Sequence, residues 1–212
     1  MSVSPNPNGT LARDEKQARP GHEIHELLTR RWSPYGFDAR AVPDADLVAL
    51  FEAARWTASS YNEQPWRYLV AHRGDGDGHA KLLGCLVEAN QAWAREAPVL
   101  ALGIVATRFA RNDKPNKAAV HDLGAASAQL TFEATRRGIA VHQMIGIDPE
   151  RARETYALPE SFEAVTGLAI GYPAPLESLS ETVRERDTSP RSRRALSEWV
   201  FEGAWERAAD WL

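Results

Sequence analysis

Residues 98–148 read PVLALGIVATRFARNDKPNKAAVHDLGAASAQLTFEATRRGIAVHQMIGID, and this stretch decides the fold. Its first ten residues form an apolar run with the length of a buried strand. From Lys117 to Gly138 apolar residues recur at helical spacing, and a glycine commonly ends such a helix. AVHQMIGID at residues 140–148 predicts a second strand that runs into a turn at Gly146. A strand, a long helix and a strand in this order favour a layered α+β or α/β domain.

The flanking segments continue the same mixture of strands and helices. Short apolar runs predict strands at residues 67–73 and 164–173. Helical spacing predicts helices at 23–33, at 42–57 with Asp44 as the N-cap, at 79–89 with an extension to 95, and after the favourable pair Asp148 and Pro149. From Pro175 the apolar periodicity stops, and it does not return before the tail at 196–212, which contains three tryptophans. This tail has little apolar core of its own, so its tryptophans are expected to pack on a surface elsewhere.

The composition fits one soluble globular domain. The chain has 212 residues, of which 43% are hydrophobic and 25% charged, values that are ordinary for such a domain. A net charge of -4 and a pI near 5.9 argue against partners such as nucleic acid or an anionic membrane surface. No apolar run reaches the roughly 18 residues that span a bilayer. A lone cysteine, Cys85, excludes an internal disulfide and a cysteine-rich zinc site, and a reducing cytoplasm is the expected compartment.

The ends of the chain differ from its middle. Residues 1–20 are polar, rich in proline and charge, and lack the apolar stretch of a signal peptide, so they are expected to be a disordered tail. Residues 21–200 are expected to form the domain, and residues 201–212 a C-terminal extension.

Two basic segments are candidate anion sites. In RRWSPYGFD, Arg30, Arg31 and Ser33 lie where a helix gives way to a loop, and guanidinium groups with a hydroxyl suit a phosphate. In SPRSRRALSEWV, Arg191 and Arg193 could complete a phosphate site begun by Arg31. The alternative for both segments is a solvated basic surface.

A third segment, TASSYNEQPW, groups hydroxyls and amides. Ser59, Ser60, Asn62 and Gln64 can each donate and accept hydrogen bonds, as the edge of a planar polar ring or a polyol requires. The alternative is a capped turn. Other classes of site lack their motifs: there is no G-x-G-x-x-G after a strand, no Walker lysine, no HExxH metal pattern and no G-x-S-x-G elbow.

Taken together, the three segments resemble the FMN-dependent nitroreductase family. RRWSPYGFD is similar to its arginine-x-serine phosphate loop, ARWTASSYNEQPW to its Ser-Ser-x-Asn-x-Gln-Pro-Trp loop, and PRSRR to its C-terminal basic element. The likeness continues through AVHQMIGID and GLAIGYP and covers roughly residues 22–200; NEQPW, HQMIGID and IGYPA are most similar to the flavin reductase branch. The resemblance implies an intertwined homodimer whose subunits have a central, mainly antiparallel sheet flanked by helices.

The resemblance also implies roles for individual residues. FMN would be bound by Arg30, Arg31, Trp32, Ser33, Ser59, Ser60, Asn62, Gln64, Ile145, Gly146, Arg191 and Arg193, with no metal and no certain catalytic side chain. Within this set the arginines, Ser33 and the Trp32 backbone would hold the phosphate, and the Ser59–Gln64 loop would reach the flavin of the facing subunit. The Gly146 N–H would approach flavin N5. Two departures from the pattern are Tyr35, where some members have lysine, and Ile145, where some have glutamate.

The activity implied is hydride transfer from NADH or NADPH to FMN N5, followed by electron transfer to a small-molecule acceptor such as a nitroaromatic, a quinone or a flavin, in a ping-pong sequence. Three alternatives stay open: oxidative flavin chemistry on the same fold, a flavin-binding module without turnover, and an acidic helical interaction protein.

Overall fold

The computed structural model describes residues 13–212 and has a four-stranded antiparallel sheet at its centre. The strands are β1 (Trp66–His72), β2 (Val99–Ala106), β3 (Ala140–Met144) and β4 (Phe162–Gly171). They are arranged in the order β1-β2-β4-β3. β2 is buried at every residue except its last, as a strand with both faces covered should be. The prediction of a mainly antiparallel sheet flanked by helices is confirmed.

Seven α-helices lie among the described residues, and they cover the sheet from both sides. They are α1 (Glu26–Arg30), α2 (Asp44–Arg55), α3 (Gly78–Gly84), α4 (Glu88–Ala94), α5 (Ala119–Arg136), α6 (Pro149–Tyr156) and α7 (Glu181–Thr188).

Each face of the sheet has its own core. On one face, Leu130 and Ala134 of α5 pack with Leu50 of α2 against Val99 and Leu168 of the central strands. On the other, the short helices α3 and α4 contribute Leu82 and Trp93 to a cluster that contains Leu100 and Ala169. Neighbouring residues of β2 and β4 therefore point alternately into the two cores.

The strongly periodic elements are confirmed. α5 falls within the helix predicted at 117–138, and Asp148 caps α6 by accepting from the Arg151 N–H, with Pro149 in the first turn. The predicted cap of α2 is wrong by one residue, because Pro43 is the N-cap and Asp44 begins the helix. The helix predicted at 79–95 is two helices, since the chain turns at Cys85–Val87 where the Asp148 N–H donates to the Cys85 carbonyl.

Two regions differ from expectation. α7 was not predicted, since its sequence ETVRERDT has no apolar stripe. Residues 13–20, expected to belong to a disordered tail, lie against the domain, and a 3-10 turn at Asp14–Lys16 brings a buried Lys16 to α7. Residues 1–12 of that predicted tail lie outside the described residues.

The C-terminal extension packs on itself. Phe201 forms an isolated antiparallel β-bridge with Ala208. Its ring packs edge-on against the Trp205 ring, with the two ring centroids 5.2 Å apart. Trp199, Trp205 and Trp211 remain mostly exposed, so the surface that would cover them stays a prediction. None of the helices described between residues 13 and 212 combines the length and the hydropathy needed to cross a lipid bilayer.

Candidate functional site

Arginines from the two ends of the domain meet at the end of α1. Arg31 is the C-cap residue of this helix, and its guanidinium donates to the Ser33 hydroxyl at 3.3 Å. Arg191, in the segment after α7, donates through its two terminal nitrogens to the carbonyl oxygens of Thr29 and Arg31. The structure therefore brings together residues that are 160 positions apart in the chain.

These arginines form a cluster of like charge. Burial is the main reason that the pKa of Arg31 lies below its ordinary value, and the guanidinium of Arg193 adds to the effect. Burial is also the main reason that the pKa of Arg191 is lowered, and the positive charges of Arg31 and Arg193 lower it further. In residues 13–212, no ion pair with a carboxylate involves any of the three.

Arg191 also has an unused donor. Its Nε is buried and has no hydrogen-bond partner among the described residues, and such a group is costly unless something accepts from it. A cluster of guanidinium groups with an unused donor and no counter-charge is suited to a multiply charged oxyanion such as a phosphate.

A cavity of about 310 Å³ opens beside this cluster. Arg31 and Ser33 line it together with Ala128, Thr131 and Phe132 of α5, and with Val141 and Gln143 of β3. The Gln143 amide nitrogen donates to the Ser127 carbonyl at 3.1 Å and to the Thr131 hydroxyl at 2.9 Å, which fixes this side chain against α5. Sequence reasoning missed Gln143, although a polar residue inside a short apolar strand was the signal that could have found it.

β3 leads into a second donor group at Gly146. The Gly146 carbonyl accepts from the Val87 N–H at 3.1 Å and from the Asn90 side chain at 2.9 Å, whereas its own N–H donates to none of the residues 13–212. A Cβ at this position would lie 2.4 Å from Asn90 Nδ2 and 2.9 Å from Val87 Cγ2, so close packing requires glycine here. The neighbouring Ile145 is 87% exposed. An open surface with a free N–H is thus available at the end of β3.

An aromatic cluster connects the two ends of the site. The Trp93 indole donates to Asn90 at 3.3 Å and stacks on His142 with ring centroids 4.4 Å apart. The His142 Nδ1–H donates to the Pro34 carbonyl at 2.9 Å, and burial lowers the pKa of His142. The Tyr35 ring packs edge-on against His142. The loop after Ser33 is thereby joined to the Gly146 turn through a neutral histidine.

Sequence reasoning also missed Asp187, which holds that loop from the other side. This carboxylate is fully buried in α7 and accepts from the backbone N–H groups of Tyr35 at 2.8 Å and Gly36 at 3.0 Å. Its sequence surroundings are polar and gave no sign of burial.

The Ser59–Gln64 loop is held in a strained conformation. Tyr61, Asn62 and Gln64 all have positive φ. This backbone region is costly for Tyr61 and Gln64, although asparagine tolerates it, and it recurs at functional sites. The Gln64 N–H donates to the Ser59 hydroxyl at 3.0 Å, and the Ser60 N–H to Asp122 of α5 at 3.1 Å.

Within one chain, this loop does not line the arginine cavity. Asp122 lies roughly 14 Å along α5 from Thr131, at 1.5 Å per residue. The role predicted for Ser59, Ser60, Asn62 and Gln64 at a facing subunit therefore stays a prediction.

Four other residues predicted to hold the phosphate do not line the cavity: Arg30, Trp32, Arg191 and Arg193. Trp32 is buried and packs beneath Arg13 and Lys16, and Arg30 is the last residue of α1. Neither side chain is among those that line the cavity.

Comparisons with known proteins agree with this geometry. The model of the nitroreductase family matches residues 28–92. The chain is 33% identical over 146 residues to an uncharacterized 15.4 kDa protein of Mycolicibacterium smegmatis, covering 66% of this chain and 97% of that protein. It is 27% identical over 167 residues to a putative NADH dehydrogenase/NAD(P)H nitroreductase of Streptomyces coelicolor, covering 70% and 82%. It superposes on the structure of an oxidoreductase containing FMN with a TM-score of 0.83 and 31% identity, over 97% of this chain and 98% of that one.

Replacing Gly146 with alanine should lower the free energy of unfolding by about 1–3 kcal/mol, the usual cost of forcing an extra methyl group into a packed position. Asn90 would have to move and give up its bond to the Gly146 carbonyl. Urea denaturation measures the loss, and G21A is the control because a Cβ on Gly21 meets nothing within 4 Å. The double variant G146A/N90A should recover part of the loss. A G146A protein as stable as G21A would contradict the proposed packing.

The buried His142 should make the fold less stable in mild acid. Because its folded pKa is lowered, the unfolded chain binds a proton more readily, and stability falls as pH drops below the unfolded value of about 6.5. His79, whose pKa burial also lowers, contributes in the same direction. The free energy of unfolding should therefore fall between about pH 7 and about pH 5.5, and H142F should show a smaller fall. An equal fall in H142F and the wild type would show that His142 does not contribute.

Proposed function

This chain belongs to the nitroreductase family, and on that premise we propose that it is an FMN-dependent oxidoreductase that takes electrons from NADH or NADPH and passes them to a small acceptor. The observation that carries the proposal is the convergence of Arg191 and Arg193 on Arg31, which lines the cavity, with no carboxylate partner for any of the three among residues 13–212. The similarity to an FMN-containing oxidoreductase over nearly the whole chain supports the class of cofactor. Nitroaromatics, quinones and free flavins are the acceptor classes we propose.

The residues at the cavity fit the phosphate of FMN. Arg31 and Ser33 face the cavity, and the buried Nε of Arg191 lacks an acceptor. The two terminal nitrogens of Arg191 are already bonded to Thr29 and Arg31 carbonyls. We therefore assign Arg31 and Ser33 as direct phosphate ligands, and Arg191 as a residue that fixes the Arg31 backbone and adds charge and one donor. Arg193 is exposed and donates to the carbonyl of its neighbour Ser192 at 2.7 Å, and we assign it as the residue that closes over the phosphate.

The Gly146 end of the site suits the flavin ring. When bound, FMN supplies a ring that accepts a hydride from the nicotinamide and returns two electrons to the acceptor. The Gly146 N–H is a neutral donor whose position is fixed by the bonds to its carbonyl, so it can hydrogen-bond to the ring without a protonation step of its own. The exposed Ile145 gives this opening an apolar border. Tyr35 has an uncharged phenol side chain, and its ring packs inward against Trp93 and His142.

A second copy of the chain would complete the site. The Ser59–Gln64 loop has three residues with positive φ, and Trp205 and Trp211 of the C-terminal extension are 82% and 69% exposed among residues 13–212. We propose a homodimer in which Ser59, Ser60, Asn62 and Gln64 of one subunit reach the cofactor of the other. Sedimentation equilibrium measures the oligomeric state, and a monomer that retains FMN with full affinity would contradict this arrangement.

The purified protein should be yellow and should release FMN on denaturation, identified by mass. Under nitrogen, NADH or NADPH should bleach the flavin absorbance, and menadione, nitrofurazone or free FMN should restore it. Binding of FMN without bleaching would favour a flavin-binding module, and products formed only with oxygen would favour oxidative flavin chemistry. A protein that stays colourless with added FMN would contradict the proposal.

Replacing Arg31 with glutamine should weaken FMN binding by more than tenfold, because a lost hydrogen bond to a charged group costs about 1.5–3 kcal/mol. Quenching of FMN fluorescence measures the dissociation constant. Riboflavin, which has no phosphate, should bind R31Q and the wild type equally well. R73Q is the control, since Arg73 pairs with Glu96 away from the site. Equal weakening of FMN and riboflavin would show that Arg31 does not act on the phosphate.

A further inference from the structure

The segment before the first α-helix packs directly behind the arginine cluster. Lys16 is only 9% exposed, and its Nζ donates to the carbonyl oxygens of Arg186 and Ser189, both at 2.6 Å. These carbonyls lie at the C-terminal end of α7, where a cation satisfies unpaired acceptors and stabilises the helix end. Lys16 thus fixes the point at which the chain leaves α7 toward Arg191.

Arg13 attaches the same segment to the phosphate loop. Its guanidinium lies 3.7 Å from the buried Asp187 carboxylate and donates to the Ala174 carbonyl. Arg13 and Lys16 also lie over the Trp32 ring, at 5.4 Å and 5.7 Å from its centroid. Because Asp187 holds the loop that follows Ser33, one ionic cluster connects residues 13–16, α7 and the phosphate loop.

The N-terminal and C-terminal segments also share an acceptor. The Thr29 carbonyl receives the Ala18 N–H at 2.9 Å and a terminal nitrogen of Arg191. Residues 190–194 donate no backbone hydrogen bond to residues 13–212. The arginine segment therefore depends for its position on its attachment at Ser189 and on the contacts of Arg191.

The arginine segment also needs to be held in place. Arg31, Arg191 and Arg193 carry like charges and repel one another, and this repulsion adds to burial, the larger cause, in lowering the pKa values of Arg31 and Arg191. Before an anion binds, this repulsion favours release of the segment that can move most easily, which is the exposed one at 190–194.

We propose that residues 13–18 form a clasp that holds the arginine segment 190–194 beside Arg31 before FMN binds, and that Lys16 is its positioning residue. The inference rests on the proposed function for the identity of the anion. Because the clasp already orders the arginine segment, FMN binding does not have to supply that free energy, and a site that is ordered in advance binds its ligand more tightly. Lys16 acts through Ser189 and Arg191, not by touching the cofactor.

The test compares K16M with the wild type in two measurements. In the protein stripped of FMN, an arginine-specific protease should cut after Arg191 and Arg193 faster in K16M, as followed by the mass of the C-terminal fragment. The FMN dissociation constant, measured by fluorescence quenching, should rise about tenfold, which corresponds to about 1.4 kcal/mol. K16R keeps a cation and its donors and should restore most of both properties.

The control is K81M, which makes the same exchange at an exposed lysine paired with Asp77. Circular dichroism establishes that each variant is folded, and if K16M does not fold, R13Q replaces it because Arg13 belongs to the same cluster. Faster cleavage together with weaker FMN binding, both reversed in K16R, supports the clasp. A change in only one of the two properties, or values equal to those of K81M, would overturn it. Failure of the wild type to bind FMN would instead contradict the proposed function, while the cleavage measurement would still report whether the segment is held.

Discussion

The repulsion among Arg31, Arg191 and Arg193 is the constraint on which the rest of the site depends. A protein can bury like charges near one another only if other contacts compensate. Here Arg31 and Arg191 are partly buried beside the exposed Arg193, and no carboxylate pairs with any of the three within residues 13–212. The compensation comes from neutral acceptors. The carbonyls of Thr29 and Arg31, exposed at the end of a five-residue helix, receive the terminal nitrogens of Arg191. A short helix with an accessible C-terminus is therefore part of the site.

The sheet and its long helix give this charge cluster a rigid support. α5 packs on the sheet through Leu130 and Ala134, and the neighbouring Ala128 is small enough to leave space beside Arg31. Gln143 is bonded to α5 at two points, so the wall formed by β3 cannot shift independently of the helix. Binding groups on strands and helices are placed more exactly than groups on loops alone. The loop that carries Ser33 gains comparable rigidity from His142 and Asp187.

Sequence reasoning succeeded where the signal is local and failed where it depends on distant contacts. The helical spacing of the apolar residues in 117–138 predicted α5, because a helix that packs on a sheet needs one apolar face. The convergence of Arg31 with Arg191 was raised from the two basic segments as one of two alternatives, and the family resemblance favoured it over a solvated surface. In contrast, Asp187 and Lys16 lie in polar stretches that are typical of solvent-exposed surface. Lys16 is buried against the end of α7, and Asp187 against Arg13 and the loop at Tyr35 and Gly36. Tyr35 faces inward for a similar reason, since its partners His142 and Trp93 come from distant elements.

The two ends of the site differ in a way that fixes the direction of a bound ligand. One end carries permanent positive charge, because guanidinium groups stay protonated at any working pH. The other presents a backbone N–H and an exposed isoleucine, neither of which titrates. A molecule with an anionic group at one end and a flat polar ring at the other can bind in only one orientation without leaving its charge unpaired. The donors at both ends are independent of pH, whereas the aromatic cluster between them contains His142, which must stay neutral. As the pH falls, protonation of His142 should therefore destabilise the fold that supports this site before it changes the charge of any group that would touch the ligand.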